Sequence, residues 1–489
     1  MNKRVLKGVE PEGVMYYFEE ISQIPRGSGN EKQISQYIYQ WACEKGYEAY
    51  QDRALNVIIK KPATPGYENS EAVLLQAHMD MVCEKNSDSN HDFLKDPILL
   101  KIEGDLIFSA VGTTLGADNG IGVAYCMAIL EEKNLKHPPL EILLTTEEES
   151  TFNGAMCVSP ESFKAKKLIN LDQAEEDRIL AGSCGGSGVK VMCPLNYELI
   201  TSLSGYKGFH IKVSGLTGGH SGEDINKGHG SAISLLVRLL YEIKRKYKVK
   251  LADIYAGTSR LAISREAEAV IFVGTDRVQE VEHTIAEMKD IFTTEYKGIC
   301  NDLKIQFNES DSIDSKIITE EDFDKIMQLL YLFPDGIKNM NGLMPGVVES
   351  SINLGILRFE NGYLKAEAEL RGSFDSTCHH IKNQLINLSE VFGAEIKFFS
   401  EYPAWSYNSE SIVREKAISV FNKEFGKELK PIVVHAGIEC GCLLKSMPWL
   451  DAIAIGPNCW GFHSPSERMS ASSVKAVWQF LKKLLEELK

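Results

Sequence analysis

Nowhere in this chain do about 18 apolar residues run together, the length a membrane-crossing helix requires, so no spanning segment is expected. The basic start, Met1-Asn2-Lys3-Arg4-Val5-Leu6-Lys7, is not followed by an apolar stretch, and an export signal is not expected either. Positive charge is in short supply: 53 Lys plus Arg stand against 68 Asp plus Glu, a formal charge of −15. That balance argues against a nucleic-acid partner, because phosphate backbones are held by clustered cations. The longest basic cluster, Lys244-Arg245-Lys246-Tyr247-Lys248, ends a helix-like stretch and reads as a solvated face. A disulfide framework is missing too. The 11 cysteines are odd in number and contain no CxxC, so they read as the reduced thiols of a cytoplasmic protein, most of them filling the core. Cys440-Gly441-Cys442, the only close pair, reads as small residues near a strand-to-helix turn.

What is present is an ordinary globular composition, 44% hydrophobic and 25% charged, in 489 residues, long enough for two or three folding units. Ile34, Tyr37, Ile38 and Trp41 at helical spacing predict a helix over Glu31 to Lys45 that stops at Gly46. Up to about residue 185, strand-like runs (Val73 to Ala77, Leu140 to Thr145, Lys167 to Leu171) alternate with a helix-like stretch over Gly120 to Glu132. Such alternation predicts an α/β sheet with helices on both faces.

The middle of the chain differs in texture. Gly208 to Val213 alternates apolar with polar residues, and Ser231 to Tyr247 has an amphipathic helix pattern. Leu354 to Phe359 and Tyr363 to Leu370 flank Asn361-Gly362, a strong hairpin signal, and a helix is predicted over His380 to Val391. Helix (Ser411 to Phe425), strand (Ile432 to His435, Ala452 to Ile455) and a last helix (Ala471 to Leu488) then return. The economical reading is one α/β domain made of residues 1–186 and 401–489, with an α+β domain, 187–400, inserted between.

Four segments close or open these elements with metal-ligand residue types: Ala77-His78-Met79-Asp80, Leu115-Gly116-Ala117-Asp118-Asn119-Gly120, Thr146-Glu147-Glu148-Glu149 and Asn170-Leu171-Asp172. In open α/β sheets the carboxyl ends of strands gather on one edge, where ligands bind. Each segment alone also reads as something plainer: a capped strand end, an acidic residue at a helix N-terminus, a solvated acidic loop. Together, in one domain and beside glycines, they point to a metal site. Carboxylates with imidazoles and no thiolates suit zinc, manganese or cobalt, and a bridging carboxylate suits a pair of ions that activates water. A nearby carboxylate must then carry the proton to the leaving amine.

These segments resemble the zinc-dependent M20 peptidases, most closely the aminoacyl-histidine (Xaa-His) dipeptidases of the peptidase D type. The likeness extends over nearly the whole chain: Lys61-Pro62-Ala63-Thr64-Pro65-Gly66, Leu75 to Val82, Gly112 to Gly122, Gly218-Gly219-His220-Ser221-Gly222, His435 to Gly441 and Gly461-Phe462-His463-Ser464-Pro465. The resemblance implies a zinc-exopeptidase-like catalytic domain with an inserted lid and dimerisation domain, two Zn2+ per chain (Mn2+ or Co2+ as substitutes) and a homodimer. By the same resemblance His78, bridging Asp118, Glu149, Asp172 and His463 bind the ions, Asp80 orients His78, and Glu148 is the general base. Asn153-Gly154-Ala155 sets that register and leaves Glu147 outside the pair.

His220 is implied to stabilise the oxyanion and Arg371 to clamp the substrate carboxylate; Glu439 is assigned to the substrate ammonium. Thr151 and Leu261 depart from the family pattern, which has Gly and Asn there. His91, His137, His229, His283, His379 and His380 read as structural or surface residues. The expected function is hydrolysis of dipeptides, with Xaa-His preferred. The alternatives are a di- or tripeptide aminopeptidase, an N-acyl amino acid deacylase, or a non-catalytic metal- or peptide-binding protein, against which Glu148 argues.

Overall fold

The computed structural model describes residues 4–199, 205–310 and 316–489. Met1 to Lys3 of the basic start lie outside that set. The chain forms two compact units. Unit 1 comprises Met1–Ser183, Trp405–Val433 and Ile438–Lys489, and unit 2 comprises Cys184–Ala404 with Val434–Gly437. The short return of Val434–Gly437 to unit 2 had no signal in the sequence. Its reason is hydrogen bonding: the Cys184 amide donates to the carbonyls of Val434 and Ala436.

Unit 1 is built on an eight-stranded sheet in the order Glu48–Gln51, Val57–Lys61, Leu140–Thr145, Val73–His78, Lys167–Asn170, Asp451–Ala454, Arg178–Ser183, Lys430–Val434. Its centre is parallel, with Leu75 opposite Ile142 on one side and Ile169 on the other. Leu140–Thr145 and Val73–His78 are buried along their whole length, as expected of strands covered on both faces. The helix Ala117–Glu131 is buried almost all round; Asp118 and Asn119 hold non-helical φ/ψ, so its regular turns begin at Gly120, the expected start. The final helix, Ala471–Glu487, is capped by the Ser470 hydroxyl, which accepts from the Ser473 amide at 3.2 Å. Its buried face stacks Trp478 on Tyr125 and sets Phe480 edge-on to Phe421.

Unit 2 centres on an antiparallel sheet: Lys304–Glu309, Tyr206–Ser214, Ala267–Gly274, Val249–Ala256, Val348–Glu360, Tyr363–Gly372, Gly185–Pro194, Glu395–Tyr402, with Gly336–Met340 paired to Val348–Glu360. The hairpin turns at Asn361-Gly362 with φ of 51° and 82°, values that asparagine and glycine tolerate best. Helix Ala232–Lys246 carries Lys244, Arg245 and Lys246 in its last turn, where the dipole favours cations. The helix expected from His380 starts at Asp375. Asp375-Ser376-Thr377 looks like loop by composition, yet its acidic residue suits a helix N-terminus. Among the described residues no helix is long and apolar enough to cross a membrane, and all 11 cysteines are free.

Candidate metal centre

Three parallel strands deliver the polar residues. Val73–His78 ends in His78, Leu140–Thr145 runs into Glu147 to Glu149, and Lys167–Asn170 leads to Asp172. Because these strands run in register, their carboxyl ends lie side by side. Asp118 enters from the start of the Ala117–Glu131 helix. His463 comes from a loop after Cys459–Trp460 and holds φ of 55°, a left-handed conformation unusual outside glycine.

Asp118 is the centre of this arrangement. Its Oδ1 lies 3.0 Å from His78 Nε2, and its Oδ2 lies 3.4 Å from His463 Nε2. Asp172 Oδ1 is 3.7 Å from His78 Nε2, while Glu149 Oε2 is 3.1 Å from His463 Nε2. One ligand atom from each of His78, Asp118 and Glu149 fits within 4.8 Å.

The electrostatics show that this donor set calls for added positive charge. Burial, then the Asp118 charge, pushes Glu149 up to about 7 and Asp172 up to about 6. Glu148 is raised well above the usual carboxylate range by burial and by neighbouring Glu149, Asp172 and Glu439, against the pull of His78. Burial disfavours a charged His78, but Asp172, Asp118 and Asp80 overcome it and raise its pKa well above the ordinary value. Hydrogen bonds to Asp118 and Glu149 take His463 up to about 10. Divalent cations at these oxygens would supply that positive charge. Three carboxylates and two imidazoles without a thiolate fit zinc, manganese or cobalt.

Asp80 contacts more than His78. Its Oδ1 is 3.3 Å from His78 Nδ1, and its carboxylate also accepts from the backbone amides of Glu148 and Glu149 at 3.1 Å and from Ser28 Oγ at 2.7 Å. One buried carboxylate therefore holds both the imidazole and the acidic loop. Glu147 is turned aside with φ of 55°, and its carboxylate accepts from Thr151 Oγ1 at 2.8 Å. Thr151 thus fastens the residue that the motif register excludes.

Glu439 opens the helix Glu439–Ser446 and is buried. Its Oε2 accepts from Gln76 Nε2 at 2.6 Å and Thr145 Oγ1 at 2.7 Å, while Oε1 is buried without a protein partner among the described residues. Burial above all raises its carboxyl to about 8. Cys440 and Cys442 are buried in the same helix.

In unit 2, Arg371 Nη1 donates to Tyr402 Oη at 2.8 Å, and Nη2 lies 3.3 Å from Ser221 Oγ and 3.4 Å from His220 Nε2. The guanidinium is buried, and its Nε has no protein acceptor among the described residues. His435 joins this unit through a 2.7 Å contact of Nε2 with Ser351 Oγ; burial, with Arg371 and His220 nearby, lowers its pKa to about 3 and keeps it neutral. Sequence reasoning singled out none of Ser28, Ser221, His435 and Tyr402 as site residues. Ser221 and His435 lay inside the quoted motifs, which was the only signal available. Leu261, at the other departure from the family pattern, is exposed and accepts the Ser221 amide through its carbonyl.

A model of the family described as Peptidase family M20/M25/M40 matches residues 74–487. The chain is 36% identical over 483 residues to a cytosol non-specific dipeptidase of Escherichia coli strain K12, covering 99% of each. Among solved structures, an aminoacylhistidine dipeptidase from Vibrio alginolyticus aligns with a TM-score of 0.90 at 33% identity, over 99% of this chain and 98% of that one. A tripeptidase from Staphylococcus aureus shares the fold at a TM-score of 0.55 and 15% identity, over 97% of this chain and 98% of that one.

Proposed function

From the premise that the chain belongs to peptidase family M20/M25/M40 and is a peptidase, we propose that it is a cytoplasmic, dinuclear zinc exopeptidase that cleaves dipeptides and favours Xaa-His. The observation that carries this reading is Asp118, whose two oxygens face two different imidazoles. His78, Asp118 and Asp172 would hold one ion, and His463, Asp118 and Glu149 the other, Asp118 being shared. Bound divalent ions supply Lewis acidity toward a carbonyl oxygen and make water more acidic. Glu148 takes a proton from the attacking water and passes it to the departing amide nitrogen, while its backbone stays anchored on Asp80.

Substrate contacts are assigned to His220 for the carbonyl oxygen, Arg371 for the terminal carboxylate and Glu439 for the terminal ammonium. The Nε of Arg371 and Oε1 of Glu439 support the last two roles, since each is a buried polar atom lacking a protein partner among the described residues. A homodimer is expected through unit 2. Arg371→Lys is expected to lower kcat/KM for dipeptides by roughly 10- to 100-fold, the loss of a charged hydrogen bond worth about 1.5–3 kcal/mol. Dipeptide amides, which lack that carboxylate, should lose little. Steady-state kinetics on both substrate types checks this, and equal losses on both would contradict the role.

A second reading, broad acceptance of dipeptides, is favoured by the name of the E. coli relative, a non-specific dipeptidase. Zinc-loaded enzyme assayed against Xaa-His dipeptides, other dipeptides and N-acetylated controls separates the two. Preference for Xaa-His with rejection of blocked substrates supports the proposal, uniform rates support the broader reading, and rapid cleavage of N-acetylated compounds would instead mark a deacylase.

A further inference from the structure

Two buried ionic side chains lie behind the candidate metal site, and neither has a role in the chemistry above. Arg26 is 2% exposed, and its guanidinium donates only to main-chain carbonyls in the hydrogen bonds seen among the described residues. Nη1 donates to Met79 O at 3.0 Å and Asp80 O at 3.2 Å, and Nη2 donates to Gly116 O at 2.5 Å. A single planar fork thus joins the loop after His78 to the loop before Asp118. Glycine at 116 and 120 makes room for it, since a Cβ at either position would stand 2.5 Å from Arg26 Nη2.

Glu467 is also 2% exposed and sits four positions beyond His463. Its Oε2 accepts from the amides of Leu115 at 2.7 Å and Gly116 at 2.9 Å, and its Oε1 accepts from the Asp118 amide at 3.2 Å. The His463 loop is therefore tied to the Asp118 loop by one carboxylate, at the same Gly116 whose carbonyl Arg26 grips. Ligand-bearing loops crowded with carboxylates repel one another, and a buried cation behind them counters that repulsion.

We infer that Arg26 and Glu467 are positioning residues that clamp the His78, Asp118 and His463 loops into the spacing a shared pair of divalent ions needs. This rests on the metallopeptidase reading. Buried charges of this kind could serve folding alone, so the clamp has to be read through metal affinity in folded protein. Glutamine at 467 keeps the shape of the side chain but turns an NH2 donor toward a backbone amide donor. Lysine at 26 keeps the charge but offers a point donor in place of a fork.

The test titrates zinc alone into metal-free parent, Glu467→Gln and Arg26→Lys proteins against a fluorescent chelator, with thermal unfolding of each metal-free protein alongside. The expected result is zinc binding weakened roughly 10- to 100-fold in each variant, with KM for dipeptide unchanged and lost turnover recovered at high zinc. Should Arg26→Lys fail to fold, Glu467→Gln alone decides. Folded Glu467→Gln that binds zinc within twofold of the parent would overturn the clamp while leaving the metallopeptidase reading intact. A parent chain that binds no zinc would overturn both.

Discussion

Glu148→Ala is expected to bind as much zinc as the parent chain and to turn over dipeptides about 10²- to 10⁴-fold more slowly, the usual contribution of a positioned acid or base. The separation follows from which atoms do what. Support for the ligand loop comes from the Glu148 backbone amide on Asp80, and this survives the substitution; only the carboxylate is lost. Metal content by mass spectrometry and kcat from the same preparation check both halves. Turnover at the parent rate would remove Glu148 from the mechanism, and loss of zinc would make it a ligand instead. Glu148→Gln, which keeps the shape but accepts no proton, should behave as the alanine variant does.

Asp118→Ala is expected to be the more damaging change, because it withdraws a group from both halves of the site at once. His78 Nε2 and His463 Nε2 each face one oxygen of that carboxylate and would no longer share a partner. Zinc per chain after gel filtration should fall from two ions to one or none, and activity should drop below that of Glu148→Ala. Glu149→Ala or Asp172→Ala should each deplete one ion more than the other. Full zinc occupancy in Asp118→Ala would rule out the bridging role.

How much of this was legible varied with distance along the chain. The hairpin at Asn361-Gly362 could be read directly, because backbone with φ of 51° and 82° excludes most residue types. Val73–His78 and Leu140–Thr145 were legible as buried strands because their apolar runs are short and continuous. The beginning of the Asp375–Val391 helix was not, since its polar first turn looks the same in a loop. Among the candidate and proposed site residues, His78, Asp118 and Glu149 were legible as ligand types at element ends. Arg26 and Glu467 were not, because charged residues usually sit at the surface and their partners are main-chain groups, which leave no mark in side-chain sequence.

By itself the sequence determined the kinds of element, the polarity of each face and the inventory of imidazoles and carboxylates, all properties set by neighbours within a few residues. Which of those groups meet was set by contacts between distant stretches of the folded chain. His463 and Glu149 are 314 positions apart, and Leu115 and Glu467 are 352. Contacts at such separations depend on strand order and register in a folded sheet, where burial of the whole core, rather than any local preference, selects the arrangement.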